Sequence, residues 1–408
     1  MTIVPTTSPA QSPHQPSGTR TARGSHHWWR WVAAVVVVLL VVFLAASWYF
    51  SGQIAAGALT STPEGALPPY DDVVVVAVDS DSVTLAKGPD AGVNFDAAAV
   101  YGLAWEGGTG IVGAAAPGPD GTVVRPLEEI VTGTPPMVGQ PAALDSAYWL
   151  AEPSVSLGLT PTDVLVDGRF PAWLFPTEAT AAPTTTMAIA VHGQNGSRSD
   201  MLRSVEAAHR AGLPVLDITY RNDLGVPADP TGRLQYGASE WQDLDAAVSW
   251  ARANGADDIV LVGQSMGGSI VASFLENSDQ AAVVSKVVLD APMLSLGATV
   301  ENAASTAMPV TGGAVPPPVI WAAEQLTTVR YGVDWAAVDY LDDTSWVTVP
   351  TLVLHGTADP RVPVAVSEEL AAAEPDLVRL VTIADALHVE AWNVDPDRWS
   401  QEVVEFLS

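Results

Sequence analysis

A short glycine-rich turn carries the residue best suited to nucleophilic chemistry. Gly263, Ser265 and Gly267 form a G-x-S-x-G pattern between the apolar run at 259–262 and a predicted helix that begins at Met266. The turn between strand and helix must be so tight that the serine adopts a strained backbone, and this exposes its hydroxyl at the helix N-terminus. The pattern therefore predicts Ser265 as a nucleophile.

A serine hydroxyl needs a base to take its proton, and two later residues can supply the base and its partner. Asp359 follows one predicted strand and His388 follows the next, so the order along the chain is Ser, Asp, His. We expect His388 to accept the proton of Ser265 while Asp359 holds the other ring nitrogen. Asp385 is the competing acid, but it precedes His388 by only three residues.

Two backbone N–H groups are candidates for stabilising an oxyanion. Met266 directly follows the nucleophile, and Gln194 lies in the loop after the first parallel strand. We expect His192, at the start of that loop, to brace it rather than to take part in chemistry.

Strands and helices alternate over the C-terminal half of the chain, which predicts an α/β domain at 177–408 with a doubly wound, mostly parallel sheet. The predicted strands cover residues 187–191, 214–219, 258–263, 286–290, 351–354 and 378–383. Residues 291–345 interrupt this alternation, and we expect them to form a cap over the site. Apolar cap residues are Val319, Ile320, Trp321 and Leu326.

The segment before this domain has a different pattern. Residues 71–176 contain short apolar runs between Gly, Pro and Asp turns, which predicts a β-rich region. We expect its last hairpin, at about 163–175, to lead into the next domain. Residues 51–70, rich in Gly and Pro towards their end, are predicted to be a linker.

A membrane segment is predicted near the N-terminus. Residues 1–27 have the composition of a disordered tail, and the uncharged run at 28–50, apart from Arg30, is long enough to span a bilayer as a helix. The arginines on its N-terminal side predict a cytoplasmic N-terminus and an extracytoplasmic remainder, in a single-pass membrane protein. The alternative is a signal peptide cleaved near Ala56, Gly57 and Ala58, which would release a secreted protein.

Composition excludes several classes of protein. The 408 residues include 17 Lys+Arg and 46 Asp+Glu, for a net charge of −29, which argues against nucleic-acid binding. The absence of cysteine excludes disulfides, thiolate metal sites and a cysteine nucleophile. No motif indicates a metal or a cofactor, and we expect none.

Residues from about 184 to 408 resemble the α/β-hydrolase family, and most closely its monoglyceride-lipase-like and serine-aminopeptidase-like branch. The resemblance lies in the stretches VHGQNG, LVGQSMGG, TLVLHGTADPRVP and DALHVEAW. It implies the α/β-hydrolase fold, Ser265, Asp359 and His388 as a catalytic triad, and Gln194 and Met266 as oxyanion donors. It implies nothing about residues 63–176.

These observations predict a membrane-anchored serine hydrolase that cleaves a lipid-like or small acyl ester. Three alternatives stay open. A serine peptidase or aminopeptidase could use the same triad, with Glu301 and Glu324 in the cap available to hold a substrate amine. An acyltransferase could also use it. A surface adhesion or scaffold protein with a vestigial hydrolase domain is the non-enzymatic alternative.

Overall fold

A computed structural model describes residues 1–2, 28–62, 70–177, 184–308 and 312–408. The predicted tail lies outside the described residues except for its first two, and so do residues 63–69 of the predicted linker. Two units are distinguished, Met1–Ala46 and Ser47–Ser408. The helices are α1 Trp28–Ile54, α2 Pro153–Ser156, α3 Leu202–Arg210, α4 Trp241–Ala253, α5 Met266–Asn277, α6 Leu296–Ala304, α7 Pro317–Tyr331, α8 Ala365–Ala373, α9 Ala391–Val394 and α10 Pro396–Leu407.

Fifteen strands form two sheets in the described part of the chain. The strands are β1 Val73–Val78, β2 Ser82–Lys87, β3 Tyr101–Trp105, β4 Gly108–Val112, β5 Ala116–Pro117, β6 Val123–Gly133, β7 Pro141–Asp145, β8 Thr162–Val166, β9 Phe170–Phe175, β10 Thr186–Val191, β11 Val215–Ile218, β12 Asp258–Gln264, β13 Val284–Asp290, β14 Thr351–Gly356 and β15 Val378–Ile383.

The apolar N-terminal helix is longer than predicted. Within the described residues, one helical stretch is long and apolar enough to cross a membrane, from Trp28 through α1 and a following π-helical turn, Ala55–Leu59. The prediction of a linker from residue 51 is therefore wrong for its first nine residues. No proline interrupts this stretch, and burial of Phe50 and Leu59 within the second unit stabilises its last turns.

The predicted β-rich region is confirmed and contains a closed barrel. Strands β1, β2, β6, β4, β3 and β7 pair in that order, all antiparallel, and the pairing of β1 with β7 closes the ring. Alternate residues of β1 and β2, among them Val75, Val83 and Leu85, are fully buried inside it. Closure removes the exposed edges that an open sheet of this size would have.

The larger sheet confirms the predicted α/β architecture. Its eight strands run in the order β15-β14-β13-β12-β10-β11-β9-β8, and the six from β15 to β11 are parallel. Strands β11 and β14 are buried along their whole length, and β10 and β12 are buried except at their first residue, as expected for a sheet with helices on both faces. The carboxyl ends of β10, β12, β14 and β15 meet at one edge, where ligands bind in open α/β sheets.

The hairpin that we assigned to the β-rich region belongs to the larger sheet. Strands β8 and β9 are antiparallel, and β9 pairs with β11. The side chain of Phe175 is buried in the core of the larger sheet, and this burial stabilises the hairpin there rather than in the β-rich region. Between β13 and β14 lie α6 and α7, within the segment predicted as a cap.

Candidate active site

Ser265 lies in a strained turn between β12 and α5. Its backbone has φ 51° and ψ −117°, which a non-glycine residue rarely adopts. Strand and helix approach so closely that a Cβ on Gly267 would lie 2.1 Å from the Val191 carbonyl oxygen, so only glycine fits there. Hydrogen bonds hold the turn, since the Ser265 N–H donates to the Asp290 carbonyl over 2.9 Å. The surrounding packing therefore fixes the strained conformation.

Three predicted residues from three loops come together. The Ser265 Oγ lies 2.8 Å from His388 Nε2, and His388 Nδ1 lies 2.6 Å from Asp359 Oδ2. In the neutral tautomer with its proton on Nδ1, His388 donates to Asp359 and its Nε2 accepts from the serine hydroxyl. The geometry is the one that proton transfer from Ser265 to His388 requires.

The Asp359 carboxylate is held ionised and in place. Burial by itself would raise the pKa of Asp359, but hydrogen bonds from histidines and backbone N–H groups outweigh it and hold the pKa well below its usual range. Its Oδ1 accepts from the N–H groups of Arg361 and Val362, over 2.8 and 2.9 Å. A contact that we did not predict adds to this, because Nε2 of the buried His355 lies 3.2 Å from Asp359 Oδ2.

Two other aspartates near His388 have different environments. Asp385, the competing acid, is exposed in a turn with φ 61°, and its N–H donates to the Thr357 hydroxyl oxygen over 3.0 Å. Asp290, at the end of β13, is fully buried, and burial raises the pKa of its carboxyl. Of the three aspartates, only Asp359 is hydrogen bonded to His388.

The predicted oxyanion donors border the nucleophile. Gln194 and Ser265 line the same cavity, and Met266 is the first residue of α5, where backbone N–H groups have no partner within the helix. The Gln194 side chain turns away to the π-helical turn, where Nε2 donates to the carbonyls of Gly57 and Ala58 over 2.9 and 3.2 Å. The side chain thereby fixes the loop that carries its backbone N–H.

His192 braces this loop from below. Its Nδ1 lies 2.9 Å from the Gly193 carbonyl and its Nε2 lies 2.8 Å from Asp223 Oδ2. Burial would lower the pKa of His192, but the Asp223 carboxylate and the Gly193 carbonyl raise it to about 9. A doubly protonated ring can donate to both acceptors, so His192 is a cation in the folded protein at neutral pH.

A cavity of about 620 Å³ opens over Ser265 and His388. Besides the loops that carry the three side chains, three parts of the chain form its walls, and two of these, the end of β7 and the end of α1, we did not associate with the site. Apolar cap residues on α6 and α7 form one wall, and β7 contributes another through Asp145 and the two residues that follow it. A third wall comes from the end of α1 and the π-helical turn. The wall residues of these parts are Leu296, Thr299, Val300, Ala303, Ala304 and Ile320; Asp145, Ser146 and Ala147; and Phe50, Gln53, Ile54, Gly57 and Ala58.

Sequence patterns alone give no sign of the walls from β7 and α1, because each comes from a segment distant along the chain from the three site residues. The two cap carboxylates considered for an aminopeptidase, Glu301 and Glu324, do not line this cavity. No group of three or more His, Asp or Glu residues in the described ranges is arranged to hold a metal ion.

Comparisons with known families match two parts of the chain. Residues 74–145, which correspond to the barrel from β1 to β7, match a domain of unknown function, DUF8805. Residues 222–408 match the prolyl oligopeptidase family. A search of curated proteins gave no match.

Solved structures similar to this chain include several hydrolases. The esterase Pf2001 of Pyrococcus furiosus is 22% identical, with 63% of this chain and 95% of that chain covered and a TM-score of 0.48. Est1E of Butyrivibrio proteoclasticus, solved with ferulic acid bound, is 18% identical, with 60% and 97% covered and a TM-score of 0.43. An alpha-beta serine hydrolase homologue from Coxiella burnetii is 15% identical, with 61% and 97% covered and a TM-score of 0.41. Such low identities carry no information about substrate.

Proposed function

We propose that the chain is a membrane-anchored serine hydrolase of the α/β-hydrolase family that cleaves an ester through an acyl-enzyme. The observation that carries this proposal is the hydrogen-bonded series from Ser265 through His388 to Asp359. The monoglyceride-lipase-like branch to which we compared the sequence remains a prediction, because the family match does not distinguish branches.

The proposed reaction follows from the geometry of the three side chains. The Ser265 hydroxyl attacks the ester carbonyl while His388 Nε2 takes its proton, and the ionised Asp359 stabilises the imidazolium. The N–H groups of Gln194 and Met266 stabilise the negative charge on the carbonyl oxygen. His388 then protonates the leaving alcohol as the C–O bond breaks, and water, deprotonated by His388, releases the acid and restores Ser265.

The cavity favours an acyl group over a charged peptide end. The wall formed by α6 and α7 presents aliphatic side chains, among them Leu296, Val300 and Ile320. An aminopeptidase would need a carboxylate near the substrate amine, and neither Glu301 nor Glu324 lies at the cavity. Asp145 and Asp200 do border it, so an amine-binding alternative would have to use these residues.

A peptidase is the second candidate, because the family match over residues 222–408 is to prolyl oligopeptidases. The same triad hydrolyses amides when the leaving amine is protonated by the histidine. Substrate assays distinguish the two candidates. An esterase hydrolyses p-nitrophenyl butyrate and leaves alanyl and prolyl p-nitroanilides intact, whereas a peptidase cleaves the anilides at a comparable rate.

We also propose that α1 is a retained anchor that leaves the enzyme domain outside the cytoplasm. Arg30 and the other basic residues on its N-terminal side support this orientation. Retention is supported by contacts of the alternative cleavage segment, since the carbonyls of Gly57 and Ala58 accept hydrogen bonds from Gln194 at the active site. Cleavage there would remove one wall of the cavity.

A fluorophosphonate probe tests the nucleophile. We expect the full chain in detergent to be labelled, and Ser265→Ala to lose all labelling and at least about 10³-fold in ester hydrolysis. Ser273→Ala, a buried serine two turns along the same helix, is the matched control and should label like the wild type. Absence of labelling in the wild type would contradict the enzyme proposal and favour a scaffold. Labelling of Ser265→Ala would contradict the assignment of the nucleophile.

A further inference from the structure

The end of the apolar helix is part of the active site. Within the second unit, Phe50, Gln53 and Ile54 of α1 line the cavity over Ser265. The π-helical turn that follows is tied to the domain, because the Tyr236 hydroxyl donates to the Ala58 carbonyl over 2.6 Å. Beyond the turn, the Thr62 N–H donates to Asn195 Oδ1 over 2.8 Å, directly beside the oxyanion loop.

The cavity begins close to the aromatic residues at the end of the apolar run. Trp48 and Tyr49 are the kind of residues that lie at a membrane–water interface. A helix rises about 1.5 Å per residue, so Phe50 and Ile54 lie only about 3 and 9 Å further along the axis than Trp48. An interface at Trp48 therefore lies within two helical turns of the cavity wall.

Helix α7 of the cap packs against the same turn of α1. The Arg330 guanidinium lies 3.8 Å from the centre of the Trp48 ring, and its Nη1 donates to the Trp48 carbonyl over 3.0 Å. The Thr327 hydroxyl donates to Ser51 Oγ over 3.1 Å. These contacts place α7 beside the residues that mark the interface.

The exposed face of α7 is uncharged. Its exposed residues are Pro317, Pro318, Trp321, Gln325, Thr328 and Val329. Trp321 is 64% exposed and Val329 is 83% exposed, which is unusual in a chain of net charge −29. Their neighbour Ile320 points the other way and lines the cavity. One helix thus presents apolar side chains both to its surroundings and to the site.

We propose that the uncharged face of α7 lies on the bilayer and that the substrate is a long-chain acyl ester that enters the cavity directly from the lipid. This inference rests on the proposed serine hydrolase activity and adds to it the source of the substrate. An acyl chain drawn from the bilayer passes from an apolar solvent to the aliphatic wall that α6 and α7 form in the cavity, so its exposure to water is reduced. The bilayer, rather than a protein, is the proposed occupant because Trp48 and Tyr49, which are typical of a membrane–water interface, lie in the same helix as the cavity wall and beside α7.

The test compares two esters on the full chain reconstituted in phosphatidylcholine vesicles. One ester, 4-methylumbelliferyl oleate, is dissolved in the bilayer, and the other, 4-methylumbelliferyl acetate, is dissolved in water. The readout is the ratio of their hydrolysis rates. We expect Trp321→Glu and Val329→Glu each to lower the oleate-to-acetate ratio by about tenfold, because a carboxylate on this face weakens its contact with the lipid.

Val93→Glu is the matched control. Val93 is 71% exposed in the loop between β2 and β3, and the same substitution there should leave the ratio unchanged. An unchanged ratio in both α7 variants would overturn the inference, and so would an equal fall in the control. If Val329→Glu instead halves the mass of the detergent-solubilised protein, the face binds a second copy and the inference is also overturned.

Fluorophosphonate labelling separates this inference from the proposed function. Labelling of all three variants shows that the site is folded and active, so that an unchanged ratio contradicts only the lipid route. Loss of labelling in the wild type would contradict the enzyme proposal itself.

Discussion

Asn393 links the barrel region to the loop that carries His388. Replacing it by alanine tests how much this link contributes to stability and to the rate of reaction. Asn393 is completely buried in α9, five residues after His388. Its Nδ2 donates to the carbonyls of Val100 and Ser146, over 2.8 and 2.9 Å, and its Oδ1 accepts from Arg203 over 3.1 Å. The two carbonyls belong to the barrel region and Arg203 belongs to α3.

The Arg203 side chain extends this connection to the catalytic loop. One of its nitrogens donates to the carbonyl of Val389, the residue after His388, over 2.8 Å. The other donates to the Ser146 carbonyl over 2.8 Å. The barrel adds a further bond, since the Tyr101 hydroxyl donates to Glu390 Oε2 over 2.5 Å. The barrel region therefore helps to hold the loop that carries His388 in place.

The expected cost of Asn393→Ala follows from the bonds it removes. Two buried bonds to carbonyls contribute about 1 kcal/mol each and the bond from the charged Arg203 contributes about 1.5 kcal/mol, so unfolding should become easier by about 3–4 kcal/mol. Arg203 keeps its bonds to Val389 and Ser146, so its charge is not left unpaired. Because the His388 loop loosens, we expect kcat to fall by roughly tenfold to a hundredfold with little change in KM.

Urea unfolding and steady-state kinetics of the full chain in detergent measure both effects. Asn277→Ala is the matched control, because the Asn277 amide binds only within its own helix region, to the Ser273 carbonyl over 2.9 Å. It should cost less than about 1 kcal/mol and leave kcat unchanged. The reasoning is refuted if Asn393→Ala unfolds at the wild-type urea concentration and reacts with a fluorophosphonate at the wild-type rate.

Two further predictions concern charged groups behind the site. Asp359→Asn should lower kcat about 10⁴-fold, because the Asp359 carboxylate is the one that is hydrogen bonded to His388. Asp290→Asn should stay within a fewfold of wild type, because burial raises the pKa of the Asp290 carboxyl and it makes no hydrogen bond to His388 among the described residues. Ester hydrolysis by both variants checks this, and an equal loss would contradict it. The pKa of His192 is raised to about 9, against 6.5 for an unperturbed histidine, and this shift contributes about 3 kcal/mol to the free energy of unfolding. The contribution is fully present below pH 6.5 and is lost as the pH rises through 9. Melting temperatures of wild type and Asp223→Asn should therefore differ most at pH 6 and converge by about pH 9.5, and a constant difference would exclude the ion pair as its source.

The sequence was sufficient to predict the α/β fold and the grouping of three side chains at one sheet edge. Ser265, Asp359 and His388 each follow a strand, and parallel strands bring their carboxyl ends to a common edge whatever the details of packing. The glycines around Ser265 are a local requirement of the turn, so the pattern is readable over a few residues. The position of Asp385, only three residues before His388, was enough to disfavour it as the acid, and in the structure it lies in an exposed turn.

Two predictions, the place of one hairpin and the start of the linker, were wrong because they depend on contacts between segments that are distant along the chain. The prediction places the hairpin of β8 and β9 in the β-rich region, because two short strands joined by a turn do not show which sheet they pair with. Its pairing with β11 depends on an edge that only the folded domain provides. The linker assigned from residue 51 was wrong for a similar reason, because Phe50 and Leu59 are buried only against elements far along the chain.

What the sequence by itself determined is the fold class and the grouping of Ser265, Asp359 and His388, because a strained turn and the order of three residues on parallel strands are local or topological properties. Only the tertiary structure decided which distant segments surround these three side chains. The end of α1, the residues after β7 and the cap helices meet around one cavity, and these contacts join residues up to several hundred positions apart, such as Tyr101 with Glu390 and Thr327 with Ser51. Burial and hydrogen bonding between such distant segments leave no periodic pattern in any one of them, so only the folded structure shows that the end of the apolar helix lines the cavity over Ser265.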